Sequence, residues 1–389
     1  MVRFRLLPWH YAVRNLFRRP ARTLLTLGAL TTVVVLILVV VAFVHGLERS
    51  LAVSGEPDAA VVFSLGMGEN LEYSAVDAAT RGIVAANVAG IRSRWGVDYV
   101  SPELYLGTNI ELEYRDEPAL GLVRGVTAAA LLVRRNVQLQ HGRWPEAGEA
   151  IVGQLAAAKL GLPPGRIRVG DVVRFEGRSW RISGVFSAAG GVFDSEIWCR
   201  LDELQQAMKR QDLSLLAVTL VDRSRFAELD LFCKQRLDLN LQAMRETEYF
   251  ANLGRHYRPV RMMAWVVVGL VATAGVVAGL NTMYGAVLGR TGELATLQTI
   301  GFARRAVAVS LLQEGVLLAA AASLIAAVFA VAAVDQMPVR CTMGAFALRI
   351  DGGTLLVGCS VGWLLGVVGT LPPAMRALRT PLVEALRSG

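Results

Sequence analysis

Four long apolar runs punctuate this chain, and the polar stretches between them are of very unequal length. Thr23 to Val44, Met262 to Leu288, Gly315 to Val334 and Gly352 to Met375 contain no charged side chain. As an α-helix the first reaches about 33 Å, enough for a hydrocarbon core of about 30 Å. The third is entered early, its apolar pattern beginning at Ala306. The pattern predicts four transmembrane helices, at 23–46, 262–288, 306–334 and 352–375. The first is expected to remain as a span, being too long for a signal peptide and followed by no small-residue cleavage site in VHGLERSL.

Residues 47–261, about 215 in all, separate the first run from the second and are ample for one or two packed domains. Here the periodicity alternates between strand and helix. VVRFEG (172–177) and RSWRISGVFS (178–187) read as a hairpin with Gly177 in its turn. Residues 104–115 and 215–222 read as strands, and 151–162 as a strand end entering a short helix stopped by Gly161 and Pro163. Helices are predicted over 201–210, 223–237, 74–94 and 241–261, the last running like a stalk into the second span. The expected fold class is a four-helix membrane protein with a large extracytoplasmic α+β domain inserted between helices 1 and 2. No repeat of 20–50 residues is visible.

Composition agrees with this division. Hydrophobic residues make up 54% of the 389 positions and charged residues only 19%, where soluble domains carry about a quarter. The net charge of +8 comes almost wholly from Arg, Lys occurring only at 159, 209 and 234. The basic residues flank apolar runs, which fits an anionic lipid surface and not nucleic acid. Arg3, Arg5, Arg14, Arg18, Arg19, Arg22, Arg290, Arg304, Arg305, Arg376, Arg379 and Arg387 all fall on one side of the four-span arrangement. The short loop at 335–351 has only Arg340 and Arg349. The well-charged side is expected to be cytoplasmic, with both termini. Arg255, Arg258 and Arg261 are a local conflict beside the second span, bordering a long domain where the rule weakens. The expected segments are therefore a cytoplasmic amphipathic stretch at 1–22, the domain at 47–261, a cytoplasmic loop at 289–305, an outer loop at 335–351 and a tail at 376–389.

Several chemistries are excluded or weak. No Gly-Lys pair exists, so no P-loop does, and the chain is expected not to hydrolyse ATP by that route. His10, His45, His141 and His256 are scattered without H-E-x-x-H, and the four Cys show no C-x-x-C, so no metal site is expected. Gly358 to Gly362 reads GCSVG and fits G-x-S-x-G by letters, but within a span Ser360 would need a histidine at its own depth, and His45 lies at the outer end of the first run. Gly358 and Gly362 read instead as a packing face, as do Gly275 and Gly279, Gly285 and Gly289, and Gly362 and Gly366. Asn281 is expected to donate a hydrogen bond between helices. Glu314 is either a functional intramembrane acid or a carboxylate reaching the interface. Cys199 and Cys233 lie in the outer domain, paired or as buried thiols.

One polar stretch stands out between the second and third runs, RTGELATLQTIGFAR (290–304). Leu294, Leu297 and Ile300 recur every three residues, Thr291, Glu293 and Gln298 fall mainly off that line, and Gly301 is placed to stop a short amphipathic helix. A helix lying flat on lipid would have the same pattern. The stretch also resembles the signature R-[TS]-x-E-[IL]-x-x-L-x-x-[IL]-G-x-x-[RK] of FtsX-like permeases, the MacB and LolC/LolE class of ABC transporter membrane subunits. The segments at 9–30, 142–186 and 371–387 are similar to that family's amphipathic start, periplasmic core and C-terminal ending, in the same order. Gly292 departs from the charged or polar residue frequent there.

The resemblance implies a coupling helix in which Arg290, Glu293, Leu294, Leu297, Ile300 and Gly301 dock on a separate nucleotide-binding subunit. It implies an ABC ATPase as partner, holding ATP and Mg while this chain binds no cofactor. It also implies a second permease chain, identical or paralogous, with a periplasmic adaptor and membrane lipids as further candidates, in a bacterial inner membrane. Three readings follow: an exporter or extractor subunit, an FtsX-like regulator that activates an outside partner without transport, and a membrane-anchored sensor. Substrate identity is not specified.

Overall fold

The computed structural model describes residues 9–18, 20–67, 70–113, 115–341 and 344–379. The amphipathic start at 1–8, Arg19 and the tail at 380–389 lie outside the described residues, and Arg3, Arg5 and Arg387 with them.

In chain order the elements are helices α1 (Trp9–Arg18) and α2 (Pro20–Ser54), strand β1 (Ala59–Ser64), α3 (Thr80–Asn87), β2 (Ser93–Arg94), β3 (Val97–Asp98), β4 (Val100–Leu112), β5 (Arg115–Val126), α4 (Ala130–Val133), β6 (Gln138–Gly142), β7 (Glu149–Gly153) and α5 (Ala156–Lys159). Then come β8 (Val172–Phe175), β9 (Arg178–Ser187), β10 (Glu196–Arg200), α6 (Leu201–Met208), β11 (Leu215–Thr219), α7 (Phe226–Gln235), β12 (Leu241–Arg245) and α8 (Glu246–His256). The last part holds α9 (Arg258–Leu288), α10 (Thr291–Thr299), α11 (Arg304–Phe329) closed by a π-turn at Ala330–Val334, β13 (Pro338–Cys341), β14 (Gly344–Ala347) and α12 (Gly352–Arg379).

Two compact units result. One is made of Gly46–Arg258 together with Pro338–Ala347, the other of the described parts of Met1–His45, Pro259–Met337 and Leu348–Gly389.

The first unit is built on a ten-stranded mixed sheet of order β12-β1-β11-β4-β5-β10-β7-β9-β6, with β8 pairing β4 and β9. Pairing is antiparallel except for β5 with β10 and β7 with β9. Side chains alternate between two faces, as strand geometry requires: Ala60 and Val62 enter the larger core, with Leu104, Trp180 and Ile197. Val61 and Phe63 enter a smaller one with Leu71, Leu215 and Ala217. The β8–β9 hairpin turns at Glu176 and Gly177, both at positive φ (49° and 71°), the geometry of a type I′ turn. Trp180 stacks on Phe175 across it, centroids 4.9 Å apart.

Four expectations for this region need correction. Leu241–Arg245 is not helical but an edge strand antiparallel to β1, because β1 otherwise presents open backbone groups. The helix after it ends at His256, so no continuous stalk runs over 241–261. Within 74–94 only Thr80–Asn87 is helical, the flanks being drawn into bridges Val76 to Leu213 and Ile91 to Leu220. The segment at 335–351 is not a plain loop: Pro338–Cys341 and Gly344–Ala347 form a hairpin belonging to the sheet unit, where buried Lys159 donates to the Cys341 carbonyl at 3.0 Å.

The second unit is helical. Among the described residues four helices are long and apolar enough to cross a membrane, Pro20–Ser54, Arg258–Leu288, Arg304–Val334 and Gly352–Arg376. The first extends well beyond residue 46, its apolar repeat passing into the half-buried pattern LERSLAVS. Asp351 caps α12, its Oδ1 accepting from the Thr354 amide at 2.8 Å. Small residues set the closest packing. Gly315 and Ala319 on α11 face Thr370 and Gly366 on α12, leaving no room for a larger side chain at either glycine. Gly362 lies against Ser323 and Val34, Gly358 against Leu38, and Gly275 against Val33 and Leu365. Gly279 meets the backbone at Gly369, where an added Cβ would lie 3.7 Å from its Cα. Gly285 faces open space among the described residues.

Candidate functional site

The α9–α11 connection is a short helix held at both ends. Arg290 precedes it and Gly301 follows it. At the C-terminal end the Phe302 amide donates to the Leu297 carbonyl at 3.2 Å and the Gly301 amide to the Gln298 carbonyl at 3.1 Å. This is a Schellman closure, and it requires Gly301 at φ +103°. Leu297 and Phe302 join the same apolar cluster, as the motif prefers.

At the other end Arg290 turns into the protein. Only 8% exposed, its Nη1 donates to the Glu314 carboxylate at 3.2 and 3.4 Å. Asn15 Nδ2 on α1 donates to the same carboxylate. A buried acid is therefore held by a cation from the α10 connection and an amide from α1. Nearby, Thr23 Oγ1 donates to the Leu16 carbonyl at 2.7 Å and Arg22 Nη2 to the Thr282 carbonyl at 3.1 Å, tying α1 and α9 to α2.

The residues expected to form one docking face divide into two sets. Leu294 is buried against Val287, Val307, Leu311 and Ala374, and Leu297 is half-buried at its edge. Glu293, Thr296, Thr299, Ile300 and Gly301 are exposed, Ile300 by 71%. Arg290 and Leu294 thus hold α10 in place, while Glu293 and Ile300 face outward. Asn281 is exposed on α9, and among the described residues it forms no hydrogen bond to another helix. Ser360 is exposed on α12, and His45 engages Thr354 Oγ1 at 2.9 Å and Asp351 at 3.5 Å, so no serine–histidine pair forms. Cys199 and Cys233 are both free and buried; burial pushes the Cys233 thiol up to about 12. Among the described residues no cluster suited to a metal ion occurs.

The sequence missed Asn15 as a partner of Glu314. Its only signal was a polar amide within the basic start. Also missed was a buried ion network in the sheet unit, where Arg124 forks onto Glu196 at 2.7 and 2.6 Å and reaches Glu103 at 2.8 Å. Arg134 bridges Glu103 and Glu246.

This arrangement, a mixed-sheet domain lying in sequence between apolar helices and a short capped helix between two more, defines a class. Residues 23–230 match the family model described as the MacB-like periplasmic core domain. Residues 265–382 match that of the FtsX-like permease C-terminal region. The first match alone covers more than half of the chain, and the chain belongs to this family, the FtsX/MacB-type ABC transporter permeases. Among solved structures it is similar to the periplasmic region of MacB from Actinobacillus actinomycetemcomitans, with 12% identity, TM-score 0.39, and coverage of 52% of this chain and 94% of that one. It is also similar to the extracellular domain of the noncanonic ABC-type transporter YknZ from Gram-positive bacteria, with 15% identity, TM-score 0.37, and coverage of 48% and 99%. Comparison with curated proteins gives no match.

Proposed function

We propose that this permease subunit takes its motion from a separate ABC ATPase docked on α10 and passes it to the sheet unit on the other side of a bacterial inner membrane. The observation that carries the reading is the fixing of α10 by its Schellman closure and the Arg290–Glu314 pair while Glu293 and Ile300 stay exposed. A short helix held at both ends transmits displacement, whereas a flexible loop dissipates it. The basic residues on the α10 side favour a cytoplasmic location for that loop and for both termini. The four apolar helices then span the membrane, with 46–258 and the 338–347 hairpin outside. ATP and Mg belong to the partner ATPase. A second permease chain, a copy or a paralogue, is expected, since α9 leaves Trp265, Val266 and Leu270 exposed to lipid or to another helix. The work done is export or extraction of a periplasmic or membrane-borne substrate, with an adaptor as a further partner.

The test is co-purification with Glu293→Arg and Ile300→Asp combined. Both positions are exposed, so the fold should be kept to within about 0.5 kcal/mol. Loss of co-purifying ATPase activity with unchanged thermal unfolding supports the reading; undiminished recovery removes the docking assignment.

A further inference from the structure

A cavity of about 270 Å³ opens on the smaller-core face of the sheet unit, between Val61, Tyr105 and Leu215 of the sheet and Tyr249 and Leu253 of α8. Its polar wall is part of the buried ion network, with Arg124, Arg134, Glu196 and Glu246 lining it and Glu103 behind them. Glu103, Glu196 and Glu246 pair with Arg124 and Arg134, while Glu196 also accepts from Trp198 Nε1 at 2.7 Å and Glu246 from the Glu56 amide at 3.0 Å; all five charged groups of the network are at most 5% exposed. Three carboxylates against two guanidiniums leave one negative charge, and an uncompensated charge away from water is costly. The N-terminus of α8, where Glu246 sits, offsets part of it.

Glu72 at the cavity rim adds a fourth carboxylate. Its Oε1 accepts from the Gly107 amide at 3.1 Å, and among the described residues no cation pairs with it. The two arginines offer little to an anion. Their forks are taken by Glu196, Glu103 and Glu246. Their faces are covered by rings, with Arg124 4.7 Å from Tyr105 and Arg134 4.6 Å from Phe193. Apart from Asn70 and the tyrosines, the rest of the lining is apolar, with Leu71, Leu122 and Leu253 prominent.

We infer that this cavity binds a small organic monocation with an apolar body, an aryl- or alkylammonium, its charge at Glu72 and its body among the leucines and Tyr249. This goes beyond the docking of an ATPase and stands on different residues.

The test uses the full chain in lipid nanodiscs and fluorine NMR of two probes of similar shape, para-fluorophenethylammonium and para-fluorophenylpropionate, with empty nanodiscs as reference. The ammonium should broaden saturably on the protein and the propionate should behave as in empty discs. Glu72→Gln, at a half-buried rim position, should weaken the ammonium by roughly three- to tenfold, as one partly screened ion pair would. Leu120→Trp, at a rim position 48% exposed, should close the mouth and abolish binding. Both variants are checked for unchanged thermal unfolding. The inference is overturned if the propionate binds as well as the ammonium, if the ammonium does not bind, or if its binding survives either substitution unchanged.

Discussion

Arg290 and Glu314, 24 residues apart in sequence, meet in the interior of the helical unit with Nη1 3.2 Å from Oε1. The pair joins the residue that opens α10 to the middle of α11. Both side chains are less than a tenth exposed, so each is the other's counter-charge away from water. Removing one partner of a buried pair costs about 3–5 kcal/mol, because the other charge is stranded. Arg290→Ala and Glu314→Ala should each lower the thermal midpoint of the detergent-solubilised chain. The double variant should lose less than the sum, and equal additive losses would show that the two do not interact.

Helix packing gives a second expectation. A side chain at Gly315 collides with Thr370, whereas Gly285 faces open space. Gly315→Leu should destabilise by about 1–3 kcal/mol or more. Gly285→Ala should be neutral or gain up to about 1 kcal/mol from helix propensity. Thermal unfolding of the two variants side by side checks the contrast.

The ion network makes the sheet unit sensitive to acid. Burial alone would raise the Glu103 carboxyl, but Arg134 and Arg124 beside it hold it below the usual carboxylate range. The unfolded chain therefore binds a proton at this site at higher pH than the folded chain does. Stability from Glu103 is fully present above about pH 4.3, the ordinary glutamate value, and is lost as pH falls through the lower folded value. Asp194, raised by burial, acts in the opposite sense, so the contribution must be isolated by substitution. Glu103→Gln should lower stability at pH 7 and flatten the acid limb of the stability curve. An acid limb as steep as that of the parent would show that Glu103 is not its source.

A strained turn offers a gain. Trp95 is 89% exposed at the tip of the β2–β3 hairpin with φ +51°, followed by Gly96 at φ +75°. Left-handed backbone is unfavourable for a bulky residue and suits Asn. Trp95→Asn should stabilise the sheet unit by about 1 kcal/mol, read as a rise in thermal midpoint. A fall would mean that the indole is held by contacts that offset the strain.

Much of the fold was legible where one physical rule dominates. Charge-free runs long enough to span a bilayer became α2, α9, α11 and α12, and Glu176-Gly177 between apolar runs became a hairpin. Leu241–Arg245 misled because Leu, Gln, Ala and Met favour helix, and the need of β1 for an edge partner overrode that preference. The residues expected to dock fall into two sets for a geometric reason. At about 100° per residue, each step of three drifts by about 60°, so Ile300 lies about 120° around the helix from Leu294. The first stays outside while the second is buried. Glu314 was visible as an isolated acid in an apolar run, but Arg290 and Asn15 come to it through tertiary packing, which no periodicity encodes.

In the proposed arrangement α10 contacts a nucleotide-hydrolysing chain in the cytoplasm. Photo-crosslinking from para-benzoylphenylalanine placed at position 300 in native membranes tests it directly, with position 270 on the exposed side of α9 as control. Position 300, and not 270, should give an adduct to a second chain that is itself labelled by azido-ATP. Adducts from position 300 to lipid alone, or reaction of Ile300→Cys with an impermeant thiol reagent added outside intact cells, would contradict it.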